Sequence, residues 1–206
     1  MSPPSERHRL NRDQIISAAM ALLAEVGIES LSLRRLAGTL GVTTPTLYWH
    51  FAGKQELIDA MAVSAMSAMQ VPQDAGVDGV DWVEWLRCLA RESRRAMLAH
   101  RDGALLISLS RPSSRQWADV EGAIGLLAAA GFTPRQSMIA LGTTAVYVVG
   151  CVLDEQQRSD ATEAFTGINV AASPLIGQAI QGGINPEDRF EDGLEVIVRG
   201  VGTFLT

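Results

Sequence analysis

Side chains that can hydrogen-bond to nucleic acid are concentrated just after Gly41. Between residues 43 and 50 the chain carries Thr43, Thr44, Thr46, Tyr48 and His50. Slim polar side chains on one helix face suit entry into the major groove of DNA, where they can contact base edges and phosphates. The alternative is that Thr44-Pro45 is only a capped helix start and that Tyr48-Trp49 belongs only to the core.

Basic side chains lie on both sides of this polar run. They are Arg34 and Arg35 before it, Lys54 after it, and Arg7, Arg9 and Arg12 near the N-terminus. The whole chain has a formal net charge of −6, but residues 1–54 carry six basic and four acidic side chains, which gives +2 there and −8 for the remainder. Phosphate contacts dominate affinity for DNA, so cations around a polar helix favour the DNA-binding interpretation.

The elements that must position these groups form a predicted helix-turn-helix. Ser32 can cap a helix over residues 33–40, and Gly41 permits a sharp turn after it. Pro45 fits the first position of a second, short helix that runs to about His50. Such a pair of short helices is typical of a DNA-reading unit.

Apolar side chains indicate how this unit is held. Val42 and Leu47 can fill the wedge between the two short helices. A preceding helix is predicted over residues 12–26, because its apolar residues recur at helical spacing. Gly27 is its predicted stop.

The rest of the chain also shows helical patterning. Of the 206 residues, 47% are hydrophobic and only 5% aromatic, which disfavours disorder as well as a β-sandwich or barrel. Further helices are predicted over residues 55–69, 81–99, 102–109, 114–130, 134–154, 173–181 and 188–205, with loops at 70–80 and 156–172.

We therefore expect an all-α protein of about nine to ten helices. Residues 1–54 form a three-helix helix-turn-helix DNA-binding domain, and residues 55–206 form a larger helical ligand-binding and dimerisation domain. The helix at 55–69 connects the two.

Several stretches resemble the TetR family in order and spacing. In the N-terminal quarter they are Ile15-Ile16-Ser17-Ala18-Ala19, Leu33-Arg34-Arg35-Leu36-Ala37, Gly41-Val42 and Pro45-Thr46-Leu47-Tyr48-Trp49-His50-Phe51 with Lys54. Shorter matches follow in His100-Arg101-Asp102-Gly103-Ala104, Arg111-Pro112, Ala130-Gly131-Phe132 and Gly150-Cys151-Val152-Leu153. The likeness covers most of the chain, and Tyr48-Trp49-His50 is closest to the tetracycline-repressor branch of the family.

The resemblance implies a homodimeric repressor that binds a double-stranded, palindromic operator and leaves it when a small molecule binds. By position, the DNA-contacting residues would be Arg34, Thr43, Thr44, Pro45, Thr46, Tyr48, Trp49, His50 and Lys54. Arg34 would read a base edge, and Tyr48, His50 and Lys54 would reach phosphates. Trp49 fits a packing role as well as a DNA contact.

The resemblance also implies an effector pocket in the second domain. Its expected lining is Leu89, Ser93, Ile107, Ser110, Arg111, Val120, Met138, Leu141 and Asp154. The tetracycline-repressor branch uses a histidine as a magnesium ligand where this chain has Ile107, and an alkyl side chain cannot coordinate Mg²⁺. We expect a small-molecule antibiotic, drug or metabolite as effector, with no metal and no cofactor. A magnesium–tetracycline effector is the alternative.

Small residues point to the dimer interface. Gly142, Ala145 and Gly150 lie along the helix at 134–154, and Gly193 and Gly200 lie along the last helix. We predict a four-helix interface made of these two helices from each subunit. Residues 136–153 carry no formal charge, yet we assign them to a core or interface helix of a cytoplasmic protein, with no membrane partner.

Two other classes of function compete with this interpretation. No nucleophile elbow, phosphate loop, dinucleotide fingerprint or zinc-protease pair is present in the sequence, so an enzyme is disfavoured. The two cysteines, Cys88 and Cys151, fit a reducing compartment. A helix-turn-helix regulator controlled by a protein partner, in place of a small molecule, is the remaining alternative.

Overall fold

The structure is a computed structural model that describes residues 10–72, 81–157, 172–180 and 185–205, and all regular structure in these ranges is helical. The helices are α1 (Arg12–Ser30), α2 (Leu33–Leu40), α3 (Thr44–Tyr48), α4 (Lys54–Met66), α5 (Trp82–Leu98), α6 (Gly103–Leu109), α7 (Ser114–Ala129), α8 (Pro134–Gln157), α9 (Pro174–Ile180) and α10 (Pro186–Gly202), with a 3₁₀ turn at Thr203–Leu205. The predicted all-α fold is confirmed. The predicted loops at 70–80 and 156–172 lie mostly outside the described residues, as do Arg7 and Arg9.

Helix α1 is interrupted at Gly27, the residue predicted to end it. At its start, the Asn11 side chain accepts the Gln14 N–H at 2.8 Å, and the Gln14 side chain accepts the Asn11 N–H at 3.0 Å. Gly27 leaves the helical region with φ 74° and ψ 168°, after which the helix resumes for one turn. The predicted stop at Gly27 is therefore confirmed, and residues 28–30 form a separate short turn of helix after it. The Ile28 N–H that the bend releases is bonded at 2.8 Å by the Asp102 carboxylate, from the turn before α6.

Buried apolar side chains form two clusters. The first joins α1, α2, α3 and α4 and includes Leu106 of α6. The second joins α5, α6, α7, α8 and α10. Ile107 packs against both clusters, so consecutive residues of α6 contribute to the two cores at once.

Helix α8 buries one face only. Its buried residues are Ser137, Ala140, Thr144, Val148 and Val152, which recur at helical spacing. On the opposite face Val146 is 75% exposed in the single chain. By length and composition α8 could cross a membrane, a test that core helices of soluble proteins also pass. The predicted burial is thus realised on one side, where α5, α6, α7 and α10 pack against it.

Gly193 has a different role from the one predicted. The Tyr147 hydroxyl of the same chain donates to the carbonyls of Arg189 and Phe190, at 3.0 and 2.9 Å. A Cβ on Gly193 would lie 2.2 Å from that hydroxyl oxygen. Burial raises the pKa of Tyr147, so its hydroxyl keeps the proton that it donates. Gly193 therefore lets α8 and α10 approach within one subunit, which corrects its assignment to the dimer interface.

The substitution Gly193→Ala should lower the free energy of unfolding by about 1–3 kcal/mol, because the added methyl group must displace Tyr147. Urea denaturation at a fixed protein concentration measures the change. Gly122→Ala on α7 is the matched control, since a Cβ there meets no other part of the described structure within 4 Å. The control should be neutral or stabilising by up to ~1 kcal/mol. Equal stability of the two variants would contradict the assigned contact.

Candidate DNA-binding and effector sites

Helices α2 and α3 form the predicted helix-turn-helix. Ser32 caps α2 by accepting the Arg35 N–H at 3.2 Å. Gly41 adopts the left-handed conformation, φ 66° and ψ 27°, which ends α2 and turns the chain toward α3. Leu47 is fully buried, and Val42 packs against the same cluster as predicted. The turn and the wedge are therefore confirmed.

The predicted DNA-contacting residues lie on α3 and at its two ends. Thr43, Pro45, Tyr48 and Trp49 are exposed, and Thr44, Thr46 and His50 are partly exposed. Trp49 is 89% exposed, so it does not belong to the core. The hydroxyls of Thr43 and Thr46 lie 3.0 Å apart and hydrogen-bond to each other, which fixes their rotamers next to the exposed Pro45.

The flanking cations differ in whether they have a hydrogen-bond or ion-pair partner within the chain. Arg34 and Lys54 are exposed, and in the described ranges neither makes a hydrogen bond or an ion pair. Arg35 donates to the Ser30 carbonyl at 3.3 Å. Arg12, counted with the flanks from the sequence, instead forms an ion pair with Glu56 at 2.9 Å. Arg34 and Lys54 are thus free to meet phosphates, whereas Arg12 is engaged within the DNA-binding head, by which we mean helices α1 to α4.

The predicted effector residues lie on α5 to α8 and on the turn after α6. Leu89, Ile107 and Leu141 pack against the second cluster. Ser93, Ser110 and Val120 are partly exposed, while Arg111 and Met138 are exposed in the single chain. Asp154 forms an ion pair with Arg189 of α10. The structure thus brings three of the apolar positions to one core, and the pocket as a whole stays a prediction.

A buried hydroxyl that sequence reasoning missed lies close to these positions along the chain. Thr144 on α8 is 2% exposed, and its Oγ1 has no hydrogen-bond partner in the part of the chain that the structure describes. A buried polar group left unpaired costs about 1–3 kcal/mol, so such groups are uncommon without a reason. The helical spacing from Ala140 through Thr144 to Val148 is the signal that could have distinguished Thr144 from its exposed neighbour Thr143.

Helix α4 is linked to the end of α6 by a small hydrogen-bond network. The Gln55 amide donates to the Asp59 carboxylate and to the Leu109 carbonyl, each at 2.8 Å. Asp59 also accepts the Arg111 backbone N–H at 2.8 Å. The helix that follows α3 is therefore bonded to the segment that carries the predicted effector residues Ser110 and Arg111.

A second link joins the end of α1 to the turn before α6. The Arg101 guanidinium donates to the Ala24 and Glu25 carbonyls, at 3.2 and 2.8 Å. The neighbouring Asp102 has a left-handed backbone, φ 54°, and binds the Ile28 N–H. Movement of α6 relative to the head must strain or break these bonds.

In the described residues, no group of three or more His, Cys, Asp or Glu side chains is placed to hold a metal ion. The position where the resemblance puts a metal-binding histidine is the alkyl side chain of Ile107, which packs against both clusters. The donor set of this chain therefore does not fit magnesium at that position.

Comparison with known proteins covers both parts of the chain. Residues 15–61 match the family described as bacterial regulatory proteins, tetR family, and residues 75–205 match the tetracyclin repressor-like C-terminal domain. The chain is 39% identical over 197 residues to the tetracycline repressor protein class A from transposon 1721 of Escherichia coli, an alignment that spans 94% of this chain and 91% of that protein.

Solved structures agree with these matches. A TetR variant from Acinetobacter baumannii AYE in complex with minocycline has a TM-score of 0.75 and 32% identity, and covers 96% of this chain and 99% of its own. ActR from Streptomyces coelicolor in complex with (S)-DNPA has a TM-score of 0.80 and 25% identity, and covers 98% of each chain. Because the matches run without rearrangement from the helix-turn-helix to the last helix, this chain belongs to the TetR family of ligand-responsive transcriptional regulators.

Proposed function

We propose that this protein is a homodimeric repressor that binds a palindromic operator through α3 and releases it when a small molecule enters the second domain. The observation that carries the proposal is the exposed face of α3, flanked by the unengaged cations Arg34 and Lys54. Binding and release need no chemical step, so the proposal includes no enzymatic activity. A cytoplasmic location follows, because the operator lies there.

The exposed face of α8 supports the dimer. Val146 on α8 and Val196 on α10 are 75% and 72% exposed, and a second copy of the chain would cover both. A Cβ added at Gly142, Gly150 or Gly200 would meet no neighbouring side chain or helix within 4 Å among the described residues, so these positions allow close approach of a second chain. A four-helix interface of α8 and α10 would hold the two α3 helices one DNA turn apart, ~34–36 Å.

We propose that the effector enters the second core, and the side chains there support one class of molecule. Apolar side chains, such as those of Leu89, Ile107 and Leu141, would contact a largely apolar molecule, and the Thr144 hydroxyl offers one unpaired hydrogen-bonding group. This combination is typical of small-molecule sites. We propose an organic effector that binds without a metal. The minocycline complex of the A. baumannii protein makes tetracyclines the first compounds to test.

Helix α6 supports a route from the effector to the DNA. Ile107 contributes to both clusters, and Asp59 on α4 binds the backbone just after α6. A ligand that displaces α6 would therefore also move α4, and with it the head that carries α3. Such coupling requires only that the ligand prefer one of two arrangements.

The operator test uses the DNA beside the gene for this protein and a scrambled duplex, at ~0.15 M salt. The protein should bind the operator at least ~10³-fold more tightly than the scrambled duplex. Replacing Arg34 with alanine should weaken operator binding about tenfold, because a base contact is lost. Arg135→Ala on α8, which also removes one exposed arginine, is the matched control and should bind as the wild type does. Equal binding of both duplexes by the wild type would contradict the proposed function.

The metal test uses minocycline as the probe. If it binds, its affinity should be the same in Mg²⁺ and in EDTA, because Ile107 provides no metal ligand. Isothermal titration calorimetry in the two buffers measures both affinities. A rise of about tenfold or more with Mg²⁺ would overturn the metal-free effector and restore the magnesium–tetracycline alternative.

The substitution Thr144→Val tests the buried hydroxyl. Replacing an unpaired hydroxyl with a methyl group of similar shape should stabilise the ligand-free protein by about 1 kcal/mol. Thr143→Val makes the same change at an exposed neighbouring position and should be near neutral. Urea denaturation of both variants decides, and destabilisation by Thr144→Val would show that the hydroxyl is already satisfied.

A further inference from the structure

The Arg12 guanidinium contacts three parts of the DNA-binding head. It donates to the His50 carbonyl just after α3. It forms an ion pair with Glu56 on α4 at 2.9 Å, and its central carbon lies 4.1 Å from the centroid of the Phe51 ring. Phe51 is 1% exposed and belongs to the first cluster. Arg12 thus joins the start of α1 to the segment that leaves the recognition helix.

Glu56 closes the same arrangement from the other side. Its second carboxylate oxygen accepts the Ala52 backbone N–H at 2.7 Å. That hydrogen bond, followed by the one from Arg12, holds the pKa of Glu56 below its usual value, so the carboxylate stays charged at neutral pH. We call Arg12, Phe51 and Glu56 the α3 clamp. Together they fix the backbone of residues 50–52 through a carbonyl, a ring and an N–H.

The location of Arg12 argues against a general stabilising role. Arg12 is the first residue of α1, where the helix dipole disfavours a positive charge. Its side chain and that of Glu56 are both about half exposed, and exposed ion pairs add little to stability. The Arg12–Glu56 pair therefore matters for the conformation that it fixes and adds little to the overall stability of the protein. What the clamp restrains is the turn that connects α3 to Lys54.

Helix α3 needs such a restraint. It has five residues, and helices this short do not persist in water unaided. At its C-terminal end, the N–H groups of His50 and Phe51 both bond to the Leu47 carbonyl at 3.0 Å. The His50 carbonyl, which lies just beyond the end of α3, accepts a hydrogen bond from Arg12.

We infer that Arg12 and Glu56 are positioning residues for operator recognition, which act by holding α3 and the turn after it and do not act as phosphate contacts. The inference rests on the proposed function, because it concerns how α3 meets the operator. It assigns to Arg12 an intramolecular role and to the acidic Glu56 a favourable role in DNA binding. Simple charge attraction predicts the opposite for Glu56, since removing an acidic group should strengthen binding to any DNA.

The experiment compares wild type, Arg12→Met, Glu56→Gln and the double variant on operator and scrambled duplexes over a range of salt concentrations. A clamp predicts that each variant loses about tenfold in operator affinity, keeps its affinity for scrambled DNA within about twofold, and keeps its salt slope. The double variant should lose no more than either single variant, because both remove the same interaction. Glu29→Gln, an exposed acidic residue elsewhere in the head, is the charge control and should not weaken operator binding.

The double variant is decisive because it leaves the net charge of the head unchanged. If the two residues act only through charge, the double variant should bind the operator as the wild type does, and Glu56→Gln should bind it more tightly. Arg12→Met should then lose about one unit of salt slope. Either of the first two results overturns the inference.

Thermal unfolding and an active-fraction titration separate misfolding from lost positioning, since a misfolded head loses affinity for both duplexes equally. A wild type that does not prefer the operator refutes the proposed function, whereas a preference that survives all three variants refutes only the clamp.

Discussion

The recognition helix α3 is too short to hold its own shape, and the rest of the head can be understood as the means of holding it. Five residues cannot repay the cost of nucleating a helix in water. Leu47 anchors α3 in the first cluster, Gly41 sets the angle at which it follows α2, and the Arg12–Glu56 pair restrains its exit. The exposed side chains of α3 are then free to be polar, since none of them is needed for packing.

The same dependence extends to the second domain. The first cluster is completed by Leu106 of α6, and Ile107 next to it packs against both clusters. A cluster shared between two functional parts makes them mechanically dependent, because close-packed cores transmit displacement and do not absorb it. Two hydrogen bonds add directional restraints to this apolar contact: Asp59 accepts the Arg111 N–H after α6, and Asp102 accepts the Ile28 N–H of α1.

Helices α8 and α10 show how one surface can meet two demands. Each presents one face to its own subunit, where Tyr147 enters the space above Gly193. Each presents a second face that is exposed in the single chain, and this face carries Val146 on α8 and Val196 on α10. The outward face suits a second copy of the chain, so the distance between two α3 helices would be set by the same elements that enclose the second core.

Local patterns in the sequence determined most of the fold. Periodic apolar residues, caps such as Ser32 and the glycine at position 41 act over a few residues, so the helix-turn-helix and the order of the helices could be predicted without coordinates. The exposed polar face of α3 followed from the same periodicity, and the residues that carry the family resemblance lie in those elements.

Only the tertiary structure decided which groups are engaged and which are free. Arg12 belongs to the basic residues near α3 in the sequence, but folding pairs it with Glu56. The Ile28 N–H that is released after Gly27 is satisfied by Asp102, far along the chain. Gly193 likewise differs from Gly200 only in what lies against it. The physical reason is that local propensity depends on near neighbours in sequence, whereas burial, pairing and close approach depend on residues that are adjacent only after folding.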